Sequence, residues 1–390
     1  MSARIAEIRV HPISVPLDRV FWMSLEPYRA AAEIVVEVVD DEGRVGIGEV
    51  HGRPQDEIVA LLEERFAPAL IGREAADHEA IWSDLFRSTH SRAWAEVAAA
   101  EGQPHFGAGN RPQMMAAIAG IDIALWDLKG QAAGLPLYRL LGGSRAEVPC
   151  YASGGYYGPD GEAYVDELVE EMTGYAALGF TAVKMKVGGL SLAEDLDRVG
   201  AVRDALPDAD IMLDANSAWD VHQAIAAARA FEPLRIAWLE EPVAWFDPVA
   251  GLARVAAATS IPIASGEHEL HRFACRDLVD RGAVEILQFD ATRAGGITEW
   301  LRVAAYAGAH GIAMAPHHDP QVHGHLLGAV PNGLIQEVFP NVVRDPLWDG
   351  LFAERPVIEG GIMQLPDRPG LGIVLDRDAL ARWSTREARP

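Results

Sequence analysis

The chain falls into two regions with different patterns of apolar and polar residues. In residues 1–140 the segments IAEIRVHPI and AEIVVEVVD alternate apolar with polar residues, and the second turns at DDEG into RVGIGEV. This period-two alternation around a glycine-containing turn predicts paired strands. Helical patterns follow to about residue 130, interrupted by the polar, glycine-rich stretch AEGQPHFGAGNRP, which we interpret as a loop. We therefore expect an α+β domain over residues 1–140.

From residue 141 to residue 340, short apolar strands alternate with helical segments. This alternation predicts repeated βα units with a parallel sheet. A closed barrel is the leading interpretation, and a doubly wound open sheet is the alternative. Residues 341–390 are then expected to return to the first region and complete it as a capping domain. The eight strand candidates are EVPCYAS, FTAVKMKV, ADIMLDA, RIAWLEE, IPIASGE, VEILQFD, GIAMAPH and GLIQEV.

Two helix starts are visible in the second region. Ser191 and Glu194 have the spacing of a capping box, which predicts a helix from about residue 192. Asp247 and Pro248 occupy the preferred N-cap and first-turn positions of another helix.

The composition limits the function classes. Of 390 residues, 49% are hydrophobic, and 33 Lys and Arg against 57 Asp and Glu give a formal net charge of -24. A chain this apolar is expected to fold, and its acidity argues against binding nucleic acid or an anionic membrane through a broad basic surface. Two cysteines make no disulfide framework, and no stretch has the pattern of a signal-peptide core or a membrane span. We expect a cytoplasmic protein.

Lysine is rare among the basic residues. Only Lys129, Lys184 and Lys186 are lysines, and the other thirty basic residues are arginines. Lys184 and Lys186 are two apart on the second strand candidate and therefore share a face. One interpretation is an edge strand with two exposed lysines. We favour a functional pair, because the flanking residues are apolar and because a crowded ammonium, unlike a guanidinium, can lose its proton near neutral pH.

Carboxylates end three consecutive strand candidates: Asp214 in LDAN, Glu240 in LEEP and Glu267 in SGE. Each one alone is equally well explained as a cap of the following helix. Together they would converge on the mouth of a barrel, where the chemistry of this architecture takes place and where their mutual repulsion requires a cation. Three hard oxygen ligands favour Mg²⁺ over Mn²⁺ or Ca²⁺.

The sixth and seventh strand candidates end in Asp290 and His317. A carboxylate beside an imidazole orients it for proton transfer, although the adjacent His318 leaves the assignment open by one residue. A zinc cluster of His317 with His323 and His325 is the rival interpretation. It is disfavoured because residues two apart do not share a helix face and because no cysteine lies nearby.

The eighth strand candidate carries Glu337. A structural role would pair this carboxylate with an arginine. At the mouth of a barrel it could instead be a neutral acid that donates a hydrogen bond to developing negative charge.

Two long stretches resemble the enolase superfamily, and within it the mandelate racemase subgroup, which includes many acid-sugar dehydratases. Ala117–Gly143, with the sequence AIAGIDIALWDLKGQAAGLPLYRLLGG, is similar to the first family signature. The residues from Ile211 to Pro242, which contain LDAN and LEEP, are similar to the second. The resemblance implies a modified TIM barrel, (β/α)7β, with an α+β capping domain. It also implies one Mg²⁺ per active site and a homo-oligomer, often a dimer or an octamer.

The resemblance further implies roles for individual residues. Lys186 would be the base at the second lysine of a KxK motif, and Lys184 would help to hold the substrate carboxylate and lower the pKa of Lys186. His317 and Asp290 would form the opposing dyad, and Glu337 would face the substrate carboxylate. The implied Mg²⁺ ligands are Asp214, Glu240 and Glu267.

The expected reaction is the Mg²⁺-dependent dehydration of a sugar acid, either an aldonate or an aldarate. Lys186 or His317 would take the proton next to the carboxylate, and departure of the β-hydroxyl would give a 2-keto-3-deoxy acid. The motif GEHELHRF resembles the corresponding segment of acid-sugar dehydratases. A racemase or epimerase that uses both bases is the alternative, and a sugar-acid-binding protein on the same fold is a third hypothesis. The muconate-lactonizing and dipeptide-epimerase subgroups place a lysine on the sixth strand, where this chain has Asp290. Because no lysine follows residue 186, the resemblance does not extend to these two subgroups.

Substrate specificity is expected to come from residues around the mouth. Asn216 and His268 lie beside two implied metal ligands and are candidates to contact substrate hydroxyls. Loops of the capping region should contact the other parts of the small carboxylate substrate and so determine which substrate binds. The candidates in that region are Trp22, Tyr28, Arg29, His51 and Arg53.

Overall fold

A computed structural model describes residues 3–89, 110–158 and 164–386. The chain begins with a three-stranded antiparallel sheet in the order β1-β2-β3, where β1 is Ile5–Trp22, β2 is Pro27–Asp40 and β3 is Val45–Val50. The predicted hairpin is confirmed, because Val36 of β2 pairs with Gly48 of β3. Most of the predicted glycine-rich loop lies outside the described residues.

Helices cover one face of this sheet and, with it, form the cap. α1 is Gln55–Leu61 and continues through a π turn at Leu62–Phe66 into α2, Ala67–Leu70; α3 is His78–Ser88, α4 is Arg111–Ala133 and α5 is Leu137–Leu140. The long helix α4 packs closely on β3, because a Cβ atom at Gly48 would overlap the carbonyl of Gly120. Among the described residues, no helix is long and apolar enough to cross a membrane.

Eight parallel strands form a closed barrel, which decides against the open doubly wound sheet. Neighbouring strands pair in sequence order from β4 to β10, and β11 returns to pair with β4 through Glu337 and Tyr151. A parallel bridge between Met314 and Gly333 joins β10 to the segment that enters β11. The strands are β4 (Glu147–Ser153), β5 (Ala182–Lys186), β6 (Asp210–Asp214), β7 (Ile236–Glu240), β8 (Ile263–Ser265), β9 (Ile286–Leu287), β10 (Ala313–Met314) and β11 (Gln336–Val338).

An α-helix lies between each pair of consecutive barrel strands, so the predicted (β/α)7β order is confirmed. The helices are α6 (Val165–Ala177), α7 (Leu192–Ala205), α8 (Val221–Phe231), α9 (Pro248–Ala256), α10 (Arg272–Asp280), α11 (Gly296–Ala309) and α12 (Pro320–Ala329). The capping box of Ser191 and Glu194 is present at the start of α7. Asp247 precedes α9 as predicted, but its side chain makes no capping hydrogen bond.

The C-terminal segment contacts both the cap and the barrel. It contains α13 (Pro346–Gly350), β12 (Phe352–Glu354), β13 (Val357–Glu359), β14 (Ile362–Gln364), β15 (Val374–Leu375) and α14 (Arg377–Arg382). β14 pairs with the start of β4, where Met363 faces Val148. Arg377 of α14 lies 2.6 Å from the Glu37 carboxylate of β2.

Two buried carboxylates anchor helix α4, the helix of the first signature stretch: one to the barrel, and the other to β3 and the C-terminal segment. Asp122 accepts hydrogen bonds from the backbone N–H and the hydroxyl of Thr298 in α11, at 2.8 and 2.6 Å. Asp127 accepts from the backbone N–H groups of Ile47 and Leu371, at 2.8 and 2.7 Å. Burial raises the pKa of Asp122 to about 7 and that of Asp127 to about 6. These carboxylates fix the packing of α4.

Candidate active site

The inward-facing positions of the barrel strands change from apolar to charged toward the mouth. Inside the barrel, residues from six strands form an apolar layer that includes Ala182, Met212 and Trp238. Because strand side chains alternate, the next inward position lies two residues further along. On these three strands the next inward residues are Lys184, Asp214 and Glu240, which are 1%, 1% and 0% exposed.

The two lysines of β5 pair with carboxylates of three other strands. Lys184 Nζ lies 2.7 Å from Glu240 Oε1 and 2.8 Å from Glu337 Oε1. Lys186 Nζ lies 2.5 Å from Asp214 Oδ2. Both lysines are therefore buried inside the barrel mouth, and the interpretation as an exposed edge pair is wrong.

Burial and charge act in opposite directions on these groups. Burial lowers the pKa of Lys184, but Glu240 and Glu337 together raise it well above its ordinary value. Burial also lowers the pKa of Lys186, and its contact with Asp214 outweighs this effect and raises it. Burial and the charge of Asp214 raise the pKa of Glu240 well above the usual range. The protonation of the two lysines and of Glu240 therefore depends on the charged groups beside them, and a new charged neighbour would change it.

Glu337 faces a lysine instead of the arginine considered from the sequence. Its second oxygen, Oε2, accepts a hydrogen bond from the backbone N–H of His318 at 3.1 Å. Although burial raises the pKa of Glu337, Lys184 and the imidazole of His317 hold it well below its ordinary value. Both contacts favour the charged form of this carboxyl group.

Glu267, just beyond β8, is surrounded by positive and titratable groups. Its Oε1 lies 3.5 Å from Arg293 and 3.6 Å from His268 Nδ1, and its Oε2 lies 3.9 Å from His317 Nε2. Burial raises the pKa of Glu267, but these neighbours lower it to about 2. The charge of Glu241, 2.8 Å from His268, raises the pKa of His268 to about 9.

Asp290 and His317 lie together, as expected from the sixth and seventh strands. His317 Nδ1 is 2.8 Å from Asp290 Oδ2, and the backbone N–H of Thr292 donates to Asp290 Oδ1 at 2.7 Å. Burial raises the pKa of Asp290, but the hydrogen bond to His317 and the ring of His323 hold it well below its usual range. The carboxylate fixes the ring, so that Nε2 of His317 points toward Glu267.

The structure offers no support for the zinc alternative. His323 uses Nε2 to accept from the N–H of Ala291 at 2.9 Å, and its Nδ1 lies 2.9 Å from the carbonyl of His318. His325 contacts the N–H of Tyr138 and the carbonyl of Leu371 through its two ring nitrogens. Both rings are buried and hydrogen-bonded on both sides, which is a structural role.

The three carboxylates implied as metal ligands form an all-oxygen donor set. Asp214, Glu240 and Glu267 come from consecutive parallel strands and are at most 6% exposed. Such a set matches the preference of Mg²⁺ for hard oxygen ligands. One oxygen of Asp214 and one of Glu240 also contact lysines, so a bound cation and the ammonium groups would compete for the same carboxylates.

The backbone at the mouth adopts left-handed conformations that non-glycine residues rarely occupy. Asn216 and Ser217 follow β6 with φ of 41° and 62°, Glu241 follows β7 with φ of 41°, and His318 and Asp319 follow β10 with φ of 52° and 39°. Each such residue costs roughly 1–3 kcal/mol, and such residues concentrate at functional sites. Their positions mark the same end of the barrel as the charged side chains.

The residues predicted to contact substrate make different contacts within the protein. Asn216 donates through Nδ2 to Asp214 Oδ2 at 3.1 Å, and its buried Oδ1 has no hydrogen-bond partner. Tyr28 lies beneath the guanidinium of Arg344, 4.0 Å from ring centre to Cζ. The carbonyl of Trp22 accepts from the N–H of Tyr157, in the segment that follows the first barrel strand.

The other cap candidates differ in their distance from the dyad. Arg29 is exposed on β2, and the guanidinium of Arg53 is 3.4 Å from the carbonyl of Ala30. By contrast, the ring of His51 is 5.5 Å from that of His317. Contacts of these side chains with substrate stay predictions.

Sequence reasoning missed an arginine that supports the lysine strand. Arg198 of α7 is fully buried and donates to the carbonyls of Lys186 and Gly155, at 2.8 and 2.9 Å. Asp195 lies 3.2 Å from the same guanidinium. An acidic and a basic residue three apart beside the apolar face of α7 was the available signal for this pair.

Two family models match the chain. The N-terminal domain model of mandelate racemase/muconate lactonizing enzyme matches residues 5–142, and the enolase C-terminal domain-like model matches residues 167–379. The chain belongs to the mandelate racemase/muconate lactonizing enzyme family. The resemblance inferred from the two signature stretches is confirmed.

The family members similar to this chain include different sugar-acid enzymes. A 3,6-anhydro-alpha-L-galactonate cycloisomerase of Streptomyces coelicolor is 35% identical over 90% of each chain. The L-talarate/galactarate dehydratase of Salmonella typhimurium is 33% identical over 96% of this chain and 88% of its own. The crystal structure of L-talarate dehydratase from Polaromonas sp. JS666, complexed with Mg and L-glucarate, has a TM-score of 0.84 and 32% identity and covers 99% of each chain.

Proposed function

We propose that this protein is a Mg²⁺-dependent dehydratase of a sugar acid, an aldonate or an aldarate. The observation that carries the proposal is the placement of two proton-transfer groups across the barrel mouth. Lys186 ends β5, and His317 follows β10, with β11 and β4 between them on one side and four strands on the other. A carboxylate substrate lying between them would present its α-carbon to a base on each face.

The lysine side of the site would bind and deprotonate the substrate. Lys184 lies between Glu240 and Glu337, where its charge would attract the substrate carboxylate. Lys186 would remove the α-proton once it is neutral. Arg198 holds the backbone of Lys186 in place, so that the amine is directed into the mouth from a rigid strand.

Asp214, Glu240 and Glu267 would hold the Mg²⁺. When bound, the ion would compensate the three carboxylates, weaken the hold of Asp214 on Lys186, and stabilise the negative charge that develops on the substrate carboxylate. Glu267 is already ionised at neutral pH, since His317, His268 and Arg293 lower its pKa to about 2.

The histidine side of the site would release the leaving group. His317, oriented by Asp290 at 2.8 Å, would donate a proton from Nε2 to the departing β-oxygen. The α-C–H and β-C–O bonds break, the C–H electrons form the Cα–Cβ double bond, and the oxygen leaves as water. The resulting enol tautomerises to a 2-keto-3-deoxy acid, while solvent restores the protonation states of Lys186 and His317.

Ring opening is the second candidate function, and the similarity to a cycloisomerase favours it. The first step would be the same removal of an α-proton. If the β-oxygen belongs to a ring of the substrate, its departure opens the ring and no water is lost. The site residues considered above serve both outcomes, so the nature of the leaving oxygen decides between them.

A panel of substrates tests the proposal. Purified protein with Mg²⁺ is incubated with hexonic, pentonic, hexaric and tartaric acids and with anhydro and lactone forms, and 2-keto acids are measured. We expect keto-acid formation from at least one open-chain acid, and its loss in Lys186→Met. The matched control is Lys129→Met, because Lys129 lies on α4 beside Trp126 and should be dispensable.

Two other results would contradict dehydration. No keto acid from any open-chain substrate would remove the support for a dehydratase, and formation from ring substrates alone would favour the cycloisomerase. Inversion at the α-carbon with deuterium incorporation from deuterated water, without keto acid, would identify the racemase or epimerase expected as the alternative.

A further inference from the structure

A second polar cluster lies between the cap and the barrel, apart from the residues used in the proposed reaction. It consists of Glu33 on β2, His51 after β3, and His318 and Asp319 after β10, and each places a ligand-type atom within 4.8 Å of the others. Three of these side chains are buried and His51 is partly buried. We call this group the cap–barrel cluster.

The cluster borders a cavity of about 20 Å³. This volume accommodates one water-sized occupant. Three separate parts of the chain supply its polar walls: the cap, the segment after β10, and the C-terminal segment. The polar residues of the wall are Glu33, Glu49, His318, Asp319, Gln321 and Asp345.

Several atoms of this wall have no hydrogen-bond partner. Oε2 of Glu33, Oε1 of Glu49, Oε1 of Gln321 and Nε2 of His318 are buried and unpaired, although their residues are at most 6% exposed. Buried polar atoms in native proteins are nearly always paired. Four unpaired atoms around one small cavity therefore indicate a site for an occupant that can satisfy all of them.

The remaining atoms of the same side chains are already held in place. Oε1 of Glu33 lies 2.5 Å from His51 Nδ1, and Nε2 of Gln321 donates to Glu49. His318 Nδ1 lies 2.9 Å from Asp319 Oδ1. The other nitrogen, Nε2, makes no hydrogen bond and lies 3.8 Å from Asp345 Oδ2. An imidazole anchored to a carboxylate through one nitrogen is the arrangement commonly found for histidine ligands of metals.

The charge of the wall favours a cation over a water molecule. Glu33, Glu49, Asp319 and Asp345 are buried carboxylates, and in the described part of the chain their ion-pair partners within 4.0 Å are histidines alone. Burial and the neighbouring carboxylates raise the pKa of Glu33 well above its usual range and that of Glu49 to about 8. A cation would favour the charged form of both groups, because buried charges require a compensating partner. A water molecule supplies hydrogen bonds but no net charge.

We propose that this cavity binds one divalent transition-metal ion, Mn²⁺ or Zn²⁺, through Glu33, Glu49 and His318. The mixture of carboxylate oxygens and an imidazole nitrogen suits these ions better than Mg²⁺. The ion links the cap to the barrel, because Glu33 and Glu49 come from β2 and β3 whereas His318 follows β10. It is separate from the Mg²⁺ of the proposed reaction and uses none of the same ligands.

The test is the number of Mn²⁺ ions bound per chain, measured by equilibrium dialysis with elemental analysis. Mn²⁺ also binds sites built from carboxylates, so the wild-type protein should bind two. Asp214→Asn should retain the ion held by Glu33, Glu49 and His318 and bind one. Glu33→Gln and, independently, Glu49→Gln should each reduce the wild-type number from two to one. The double variant Asp214→Asn/Glu33→Gln should bind none.

The matched control is Glu37→Gln, because Glu37 is a buried carboxylate on the same strand but is paired with His11 and Arg377. This variant should still bind two ions. Added Mn²⁺ should also raise the melting temperature of Asp214→Asn and leave that of the double variant unchanged.

One ion in the wild-type protein that is lost in Asp214→Asn would overturn the proposal. Two ions in both Glu33→Gln and Glu49→Gln would also overturn it. Two ions in wild type and in Asp214→Asn, with one in Glu33→Gln, would support the cap–barrel site and contradict the Mg²⁺ ligands of the proposed function instead.

Discussion

Two sets of buried carboxylates in this protein have different partners. On α4, Asp122 and Asp127 accept hydrogen bonds from backbone N–H groups and a threonine hydroxyl. At the barrel mouth, Asp214 and Glu240 are buried to a similar extent but contact lysine ammonium groups at 2.5 and 2.7 Å. Both sets lie within stretches that resemble family signatures.

The comparison teaches that burial of a carboxylate does not by itself identify a catalytic site. Neutral donors such as N–H groups hold a carboxylate in one place, which serves packing. Lysine partners carry charge that protons, a cation or a substrate can redistribute, which serves chemistry. Substitutions in the first set should therefore affect stability, and substitutions in the second should affect turnover or metal binding.

The largest effect is expected for Lys186→Met at the mouth. Loss of the amine removes the proposed base, so turnover should fall by more than about a thousandfold, within the range known for essential proton-transfer groups. The melting temperature and Mg²⁺ binding should stay close to wild type. Steady-state keto-acid formation measures the first quantity and calorimetry measures the others. Unchanged turnover would remove Lys186 from the mechanism.

A second large effect is expected for Asp214→Asn. Removal of one ligand charge should weaken Mg²⁺ binding by more than about a hundredfold, because changes in the residues that merely orient ligands already cost about 10–100-fold. Isothermal titration with Mg²⁺ measures it. Asp122→Asn, a carboxylate of the α4 set, is the matched control and should bind Mg²⁺ like wild type. Equal binding by both variants would abolish the distinction between the two sets.

For Asp122→Ala we expect a loss of stability without a loss of turnover. The N–H and hydroxyl of Thr298 would each lose a buried acceptor, so the free energy of unfolding should fall by about 2–4 kcal/mol. Urea unfolding measures this change, and kcat of the folded variant should remain close to wild type. A loss of kcat without a loss of stability would assign α4 to the chemistry.

A smaller effect concerns the pH dependence of stability through Glu37. Burial raises its pKa, but hydrogen bonds with His11 and Arg377 lower it to about 2. Since the folded pKa lies below the unfolded value, the contribution is present above about pH 4.5 and is lost as the pH falls toward 2. Between pH 5 and pH 3 the loss should be about 1–2 kcal/mol, and Glu37→Gln should lack it. The same slope in wild type and variant would show that other groups cause it.

The barrel and the carboxylates at its mouth were predictable because both follow from local patterns. Apolar strands repeat along the chain, and Asp214, Glu240 and Asp290 stand at or just after strand ends. Parallel topology then brings those ends to one mouth. The lysine pair was detectable by composition, because its residue type is rare elsewhere in the chain.

The remaining features depend on contacts between distant segments. Glu337 and Lys184 meet only because closure of the barrel places β11 beside β4 and β4 beside β5. Glu33 and His318 form a cluster only after the cap has docked on the barrel. The positions of these residues along the chain do not indicate these contacts, so local sequence patterns could not predict them.

The most direct test of the central claim follows the α-proton of a substrate identified in the panel. The reaction is run in deuterated water with Mg²⁺ and monitored by proton NMR for wild type, Lys186→Met and Lys129→Met. We predict loss of the α-proton signal together with keto-acid formation in wild type and Lys129→Met, and neither in Lys186→Met. Keto-acid formation by Lys186→Met at the wild-type rate would contradict the account.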